Sequence, residues 1–299
     1  MTSIQQHLLA TVLSMASAHA AWAGVHAYQL VPADSALTLS GTVSSALGTF
    51  PLTAQGAGSL TTTYSGQVWL RLFPVSAAPA GLSLQPATLA VAANSGNWRP
   101  NSASPPANVA EAANYGARVV PVILNQLDIA LRGLQATAGG PATPAALTGG
   151  SFDEAGITFT VVAGTADYLG TGFLLTGIAG NSPLDGTGPL FSTPEVSSLT
   201  RSFAVETLVL RVSTELTGVI DASTSITYQI NGTLQARRLI GDQDNNFVVN
   251  LDDLADLLNN LGLLDPAMPG EDAAADLDGN GRIDAADLAG VLARLGNSL

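Results

Sequence analysis

The 299-residue chain has a net charge of −13, no lysine, no cysteine, 11% charged and 46% apolar residues. Such a balance excludes a nucleic-acid footprint, which needs clustered basic side chains. Without cysteine there are neither disulfides nor thiolate metal sites, and the compartment is left open.

The first element is an apolar run, Leu8 to Ala23, ending in Ala21-Trp22-Ala23 before Gly24. Small residues spaced in this way form the cleavage pattern of a secretory signal, and the run is too short and too rich in Ala and Ser to span a bilayer. Residues 1–23 are therefore expected to leave after export, giving a secreted or cell-surface protein with no transmembrane segment. The leading MTSIQQH lacks Lys and Arg, so a start codon misplaced upstream of, or within, the signal is the alternative.

Residues 24–240 show no convincing helix. Short alternating runs recur between turn residues: LTLSGTV, SLTTTYSG, QVWLRLF, LDIALRG, ITFTVVAG, FAVETLVLRVS and SITYQING. Thr, Val, Leu and Ile dominate them, while Gly, Asn, Pro and Ser punctuate. About ten strands with half-polar alternation predict an antiparallel β-sandwich or barrel-like domain with one wet face per sheet. Ala92–Ala117 and Gly177–Pro194 read as long loops.

The catalytic inventory of this domain is thin. The histidines are His7, His19 and His26, two of them within the expected signal. Nucleophilic triads and His-based metal sites are thereby disfavoured. A carboxylate pair is the enzyme design left open, because a glycosidase needs only an acid and a base or nucleophile. Its candidates are Asp153, Glu154, Asp167, Glu206 and Glu215, against the alternative of ordinary surface carboxylates. Trp69 reads as sheet packing. Trp98, between Asn97 and Arg99 in a polar loop, reads either as a sugar platform or as an aromatic pinning that loop, with Tyr115 as a second aromatic to watch.

Residues 241–299 carry the strongest signal. They hold 12 acidic residues against 2 arginines, and so 10 of the 13 net negative charges. DQDNNFVVNLDDLADLLNNLG from Asp242 and DLDGNGRIDAADLAGVLARLG from Asp276 repeat at an offset of 34, with eleven matched positions over twenty-one residues. That is a duplication. Oxygen side chains fall at loop positions 1, 3, 5, 9 and 12: Asp242, Asp244, Asn246, Asn250 and Asp253, then Asp276, Asp278, Asn280, Asp284 and Asp287. Val248 and Arg282 at position 7 would offer backbone carbonyls. A hard cation such as Ca²⁺ takes about six to eight oxygens, and an EF-hand-like loop of this kind supplies them. Asp replaces the usual Glu at position 12, so the loop must close tighter. Asn250 and Asp284 are also good N-caps with a capping-box carboxylate three residues on, and Leu and Val then recur as one apolar helix face.

An alternating run precedes the first loop and a segment with Pro266, Pro269 and Gly270 precedes the second, so neither has an entering helix. A loop with an exiting helix only, twice at a C-terminus, resembles a type I dockerin. The resemblance covers about the last fifth of the chain. It implies a small all-α, calcium-folded module that docks on a cohesin domain of a scaffold or cell-surface protein, in a setting of polysaccharide binding or catabolism. Partner choice in that family is read at and after positions 10 and 11, here Leu251-Asp252 and Ala285-Ala286. The Ser/Thr pair of some dockerins is absent. The β domain is left with three readings: structural or adhesive, carbohydrate-binding, or glycoside hydrolase. A module packed on its own β domain is a further alternative. Within the module, Gly281 fits position 6, where a positive φ is expected, whereas Phe247 does not; the second site is expected to be the tighter.

Overall fold

The computed structural model describes residues 25–73, 79–103, 112–122, 124–154, 156–185, 190–191, 196–221, 223–263, 275–278, 280 and 282–299. The expected signal and its cleavage point lie outside the described residues, as do Pro266, Pro269, Gly270 and Gly281. Among the described residues no helix is long and apolar enough to cross a membrane.

The first strands in the chain are β1 (Val25–Leu30), β2 (Ala36–Ser45), β3 (Gly48–Pro51), β4 (Thr53–Ala54) and β5 (Thr61–Phe73). Then come β6 (Gly81–Ala92), β7 (Tyr115–Val122), β8 (Asn125–Ala146), β9 (Ser151–Asp153) and β10 (Thr158–Thr171). The last of the set are β11 (Ala179–Pro183), β12 (Leu190–Phe191), β13 (Val196–Arg201), β14 (Val205–Asp221) and β15 (Thr224–Leu239). All fifteen join one sheet, with the path β11-β10-β8-β6-β5-β1-β15-β14-β13-β9, and every pairing in it is antiparallel.

Long strands let one sheet serve two layers. On one edge β8 pairs with β10; on the other it pairs first with β7 and then with β6. In the same way β15 pairs along one edge with β14, and on the other with β2 and then β1. Where β2 and β15 approach, the backbone leaves no room for a side chain: a Cβ on Gly41 (φ +146°) would lie 1.9 Å from the Thr227 carbonyl oxygen. Inward residues of β8 and β10 meet those of β14 and β15, for Leu134, Val161, Leu210, Val212 and Ile230 line one cavity of about 60 Å³. Alternation decides which residues go in. Val68, Leu70 and Leu72 of β5 belong to the core, as do Leu208, Leu210 and Val212 of β14, the period expected of strands with one buried face.

The expected mainly β, antiparallel class holds, with more strands than the roughly ten read from the sequence. Gly177–Pro194, taken as loop, contains β11 and β12. The second half of β8, QATAGGPATPAA, has turn-like composition but pairs with β6 and β10. Tertiary pairing overrides propensity there. The expected Ala92–Ala117 loop is shorter, being bridged at Gly96–Ala113 before β7 begins.

Beyond β15 the chain forms α1 (Leu251–Asn259), a two-residue pairing of β16 (Gly262–Leu263) with β17 (Arg282–Ile283), and α2 (Ala285–Leu292). These elements surround a second apolar cluster of Val249, Leu257, Ala275, Ile283 and Val291, closed by Leu239 of β15 with Val205 of β14 packed against it. The chain end returns to the first loop, where Gly296 N–H donates to the Val249 carbonyl at 2.8 Å and Leu299 N–H to that of Phe247 at 3.2 Å. The expected apolar helix face is only partly buried. Leu257 and Val291 point inward, whereas Leu258 and Leu292 are 46% and 48% exposed. Two short helices have only one small cluster to cover, so the rest of the stripe faces solvent.

Candidate metal centres and buried charges

β15 runs straight into the first acidic loop, with Leu239, Ile240, Gly241 and Asp242 all buried. No helix enters it, as expected. The loop is wound by its own side chains. Asn246 N–H donates to Asp242 Oδ1 at 3.1 Å, Val248 N–H to Asn246 Oδ1 at 2.8 Å, and Gln243 N–H to Asp253 Oδ1 at 2.6 Å. The second loop repeats each bond. Asn280 N–H reaches Asp276 Oδ1 at 3.1 Å, Arg282 N–H reaches Asn280 Oδ1 at 2.9 Å, and Leu277 N–H reaches Asp287 Oδ1 at 2.7 Å. The duplication read in the sequence is therefore a duplication of hydrogen bonds.

Both loops end in the expected capping boxes. Asn250 and Asp284 are the N-caps, and the backbone N–H of each donates to the carboxylate three residues on, Asp253 and Asp287, at 2.7 and 2.8 Å. One position-12 carboxylate thus closes the loop and starts the helix, a dual role that the shorter Asp side chain can reach. Asp253 and Asp287 are fully buried by this, and Asp242 and Asp276 nearly so.

One carboxylate oxygen each from Asp242, Asp244 and Asp253 lie within 4.8 Å of one another, and so do those of Asp276, Asp278 and Asp287. Oxygens bound to a common Ca²⁺ at about 2.4 Å can be no further apart than twice that distance. The donor set is all oxygen, which suits a hard cation rather than zinc or copper. Each carboxylate oxygen that accepts one backbone N–H keeps a lone pair for an ion. Burial, with the neighbouring Asp253 charge adding to it, pushes the Asp242 carboxyl up to about 6 against the pull of the Phe247 N–H. Repulsion of this kind is what a cation would relieve. Of the other ligands expected from the sequence, Asn246, Asn250, Asn280 and Asp284 sit in the same two loops; Val248 and Arg282 are exposed at position 7.

Phe247 has φ +66°, the left-handed conformation expected at position 6, and Asn245 at position 4 has φ +59°. Asn tolerates that region; an aromatic side chain does so poorly. The first site has one further carboxylate nearby. Burial and the charges of Asp244, Asp253 and Asp252 raise the Asp256 pKa, and the residue 34 positions on is Gly290.

In the sheet, four of the five candidate carboxylates are tied to separate partners. Glu154 accepts from the Ser197 hydroxyl and from Arg211 N–H, Asp167 pairs with Arg132 at 2.8 Å, and Glu215 accepts from Gln229 at 3.1 Å. Asp153 is exposed on β9. Trp98 pins its loop: a Cβ on Gly96 or Gly116 would fall within 2.6 or 2.3 Å of it, and its Nε1 donates to Ser95 Oγ at 2.8 Å. Arg132 holds the same loop through the carbonyls of Trp98, Pro100 and Ala112. Tyr115 is fully buried, its hydroxyl against Tyr64 and the Leu37 carbonyl, so it offers no sugar platform. Trp69 lies half-buried on the outer side of β5, in register with Ala27.

Glu206 differs from the rest. It accepts from Arg238 Nε at 2.7 Å and from the Tyr28 hydroxyl at 2.6 Å, and Arg238 also meets His26 Nδ1 at 2.9 Å. Burial and the charges of Arg238 and Arg201 hold His26 well below its ordinary pKa, so the ring is neutral. Burial also opposes ionisation of Glu206, but Arg238 and the Tyr28 hydroxyl outweigh it and keep the carboxyl below its ordinary range. Sequence reasoning named Glu206 as a candidate carboxylate and His26 only as the histidine outside the expected signal, and it did not name Arg238 or Tyr28. The signal for the others is parity: Glu206 follows Leu208 and Leu210 inward, Arg238 follows Leu234 and Ala236, and His26 precedes Tyr28 and Leu30. No family model, curated protein or solved structure matches the chain.

Proposed function

We propose that the chain is an attachment protein whose C-terminal 241–299 is a type I dockerin-like, all-α module folded by two Ca²⁺ ions, and whose β domain is the unit it positions outside the cell. The observation that carries this reading is the pair of acidic loops with matching hydrogen bonds, each with three carboxylates able to meet at one point and each running into a capped helix. Asp242, Asp244, Asn246, Asn250 and Asp253 would hold the first ion with the Val248 carbonyl. Asp276, Asp278, Asn280, Asp284 and Asp287 would hold the second with that of Arg282. Bound calcium supplies the positive charge that lets buried carboxylates converge, and its binding free energy becomes folding free energy of the module.

The partner is a cohesin-type domain, and polysaccharide processing is the setting the resemblance implies. Leu251 at position 10 is 70% exposed, and Leu258 and Leu292, one on each helix, are exposed as well. Solvent-facing leucines on so small a unit suit a docking face. Calorimetry of the full chain with a cohesin domain in calcium, and again with chelator, tests the reading. Binding abolished by chelator supports it; no calcium uptake at all, or cohesin binding indifferent to chelator, refutes it.

A specific observation also supports the reading in which the module packs on its own β domain. Asn245 Oδ1 accepts from Ala27 N–H at 2.9 Å, Arg294 Nε donates to the Phe203 carbonyl at 2.7 Å, and the Arg294 guanidinium lies 4.5 Å from the Phe203 ring. The two roles are compatible, because the contacts to the sheet use loop and chain-end residues and leave these leucines outward.

A further inference from the structure

The inward face of the sheet ends at the module side in charge instead of hydrocarbon. Glu206, Arg238, His26 and Tyr28 close the core there, and Arg201, two residues after the core residue Leu199, stands directly across from Glu206 in the β13–β14 pairing. Arg238 and Tyr28 both take Oε2 of Glu206. Among the described residues Oε1 has no hydrogen-bond partner, and the Arg201 guanidinium has neither a hydrogen bond nor an ion pair. Both residues line a cleft of about 280 Å³ walled by Pro79, Leu147, Gly149 and Leu199. Gly149 lies in the tight turn between β8 and β9, and the space beside its Cα is open.

The charge balance is unusual for this chain. Three of its ten arginines, Arg201, Arg238 and Arg294, act on one another here, and His26 is neutral. Glu206 is shared by Arg238, which it bonds, and by Arg201, which it only faces, so one carboxylate stands against two guanidinium groups and a net positive charge remains. Burial lowers the Arg201 pKa; Glu206 opposes that lowering and Arg238 adds to it. A half-buried guanidinium without a partner favours an oxyanion, and its planar fork matches a carboxylate through two parallel bonds. In the same cleft Glu206 keeps a carboxylate oxygen to accept a hydroxyl, and the leucine and proline walls suit C–H surface.

We propose that this cleft binds a hydroxy-carboxylate, specifically a uronic acid residue, with its carboxylate on Arg201 and a ring hydroxyl on Glu206. The site does not rest on the calcium reading, since none of its residues lies in the acidic loops. The test is calorimetry of the full chain in calcium against D-glucuronate, D-glucose and acetate. Glucuronate should bind at least tenfold more tightly than either of the others, because each of them offers only half of the recognition. Arg201→Gln should erase the preference for glucuronate over glucose, and Arg201→Lys, which keeps the charge but not the fork, should restore part of it. The comparison of the three ligands on the unaltered chain decides the matter even if a variant fails to fold. Glucuronate binding no better than acetate, or unchanged in a folded Arg201→Gln chain, overturns the proposal.

Discussion

Replacing Phe247 by glycine should tighten one calcium site and leave the other alone. Phe247 sits at φ +66°, where an L residue costs about 1–2 kcal/mol relative to right-handed backbone. Glycine removes that strain but brings about 0.5–1 kcal/mol of extra entropy loss on ordering. The net gain is about 1 kcal/mol, or roughly three- to tenfold in affinity for the first loop. Asp256 works in the opposite direction to the strain: it adds a carboxylate near the first loop where the second has Gly290. A surface charge of this kind contributes about 0–1 kcal/mol, so the strain should still leave the first site the weaker. Titration calorimetry on the unaltered chain, Phe247→Gly and Asp256→Asn checks each step. Phe247→Gly should tighten the weaker site, and Asp256→Asn should weaken that same site a few-fold. If Phe247→Gly leaves both affinities unchanged, the backbone-strain argument is wrong.

Chelation should open the module while the sheet persists: with no lysine in the chain, trypsin cuts only at arginine, and cleavage after Arg282, next to buried Ile283, should appear only with chelator. Equal cleavage with and without calcium would contradict a metal-folded module. The His26 pKa lies well below 6.5 in the folded chain, so the unfolded chain takes up the proton first as pH falls. Its contribution is full above pH 6.5 and is lost below it by about 1.4 kcal/mol per pH unit; the stability of His26→Asn in urea should lack that slope between pH 6.5 and 5, and parallel slopes would sink the idea. The depressed Glu206 carboxyl acts only at lower pH, below the ordinary carboxylate value of about 4.3. Asn245→Gly keeps a residue suited to φ +59° but removes the acceptor for the buried Ala27 N–H, at about 1–3 kcal/mol; a melting temperature equal to that of the unaltered chain in calcium would show that the bond contributes nothing.

The acidic loops were legible because everything that makes them is local. The twelve positions that wind each loop lie within one short stretch, and the cap, the helix start and the ligand set use the same side chains. The sheet was legible only as a class. Alternation reports that a segment is a strand with one buried face, but it does not report its neighbour. Arg238 and His26 are 212 residues apart, and only the pairing of β1 with β15 brings them together. Gly- and Pro-containing strands such as the second half of β8 were missed for a related reason: partners on both edges hold them extended, and local composition carries no trace of that. Inward charges on strands whose other inward residues are apolar were visible in principle. Glu206, Arg238 and Arg201 each extend an apolar row by one step of two.

The end of the sheet that carries those three residues is also where the module meets it. A sheet folded on itself has open ends, and hydrocarbon there would face water. At this end β1 pairs with β15 only through Gln29 and Leu30, although it pairs with β5 from Val25 onward. The start of β1 therefore presents an unpaired backbone edge beside a row of charges. Asn245 takes the Ala27 N–H on that edge, Leu239 and Val205 pass from the sheet into the apolar cluster of the helices, and Arg294 binds the turn after β13. The first acidic loop is thus both a candidate metal centre and the cap on the sheet's exposed edge. An ion that fixes Asp244 and Asn246 would fix Asn245 between them, and through it the strand that carries His26 and Tyr28. Occupancy of the first loop should for that reason stiffen the sheet end directly, while the second loop, which meets the sheet through Ile283 in the shared apolar cluster, should act mainly on the helices.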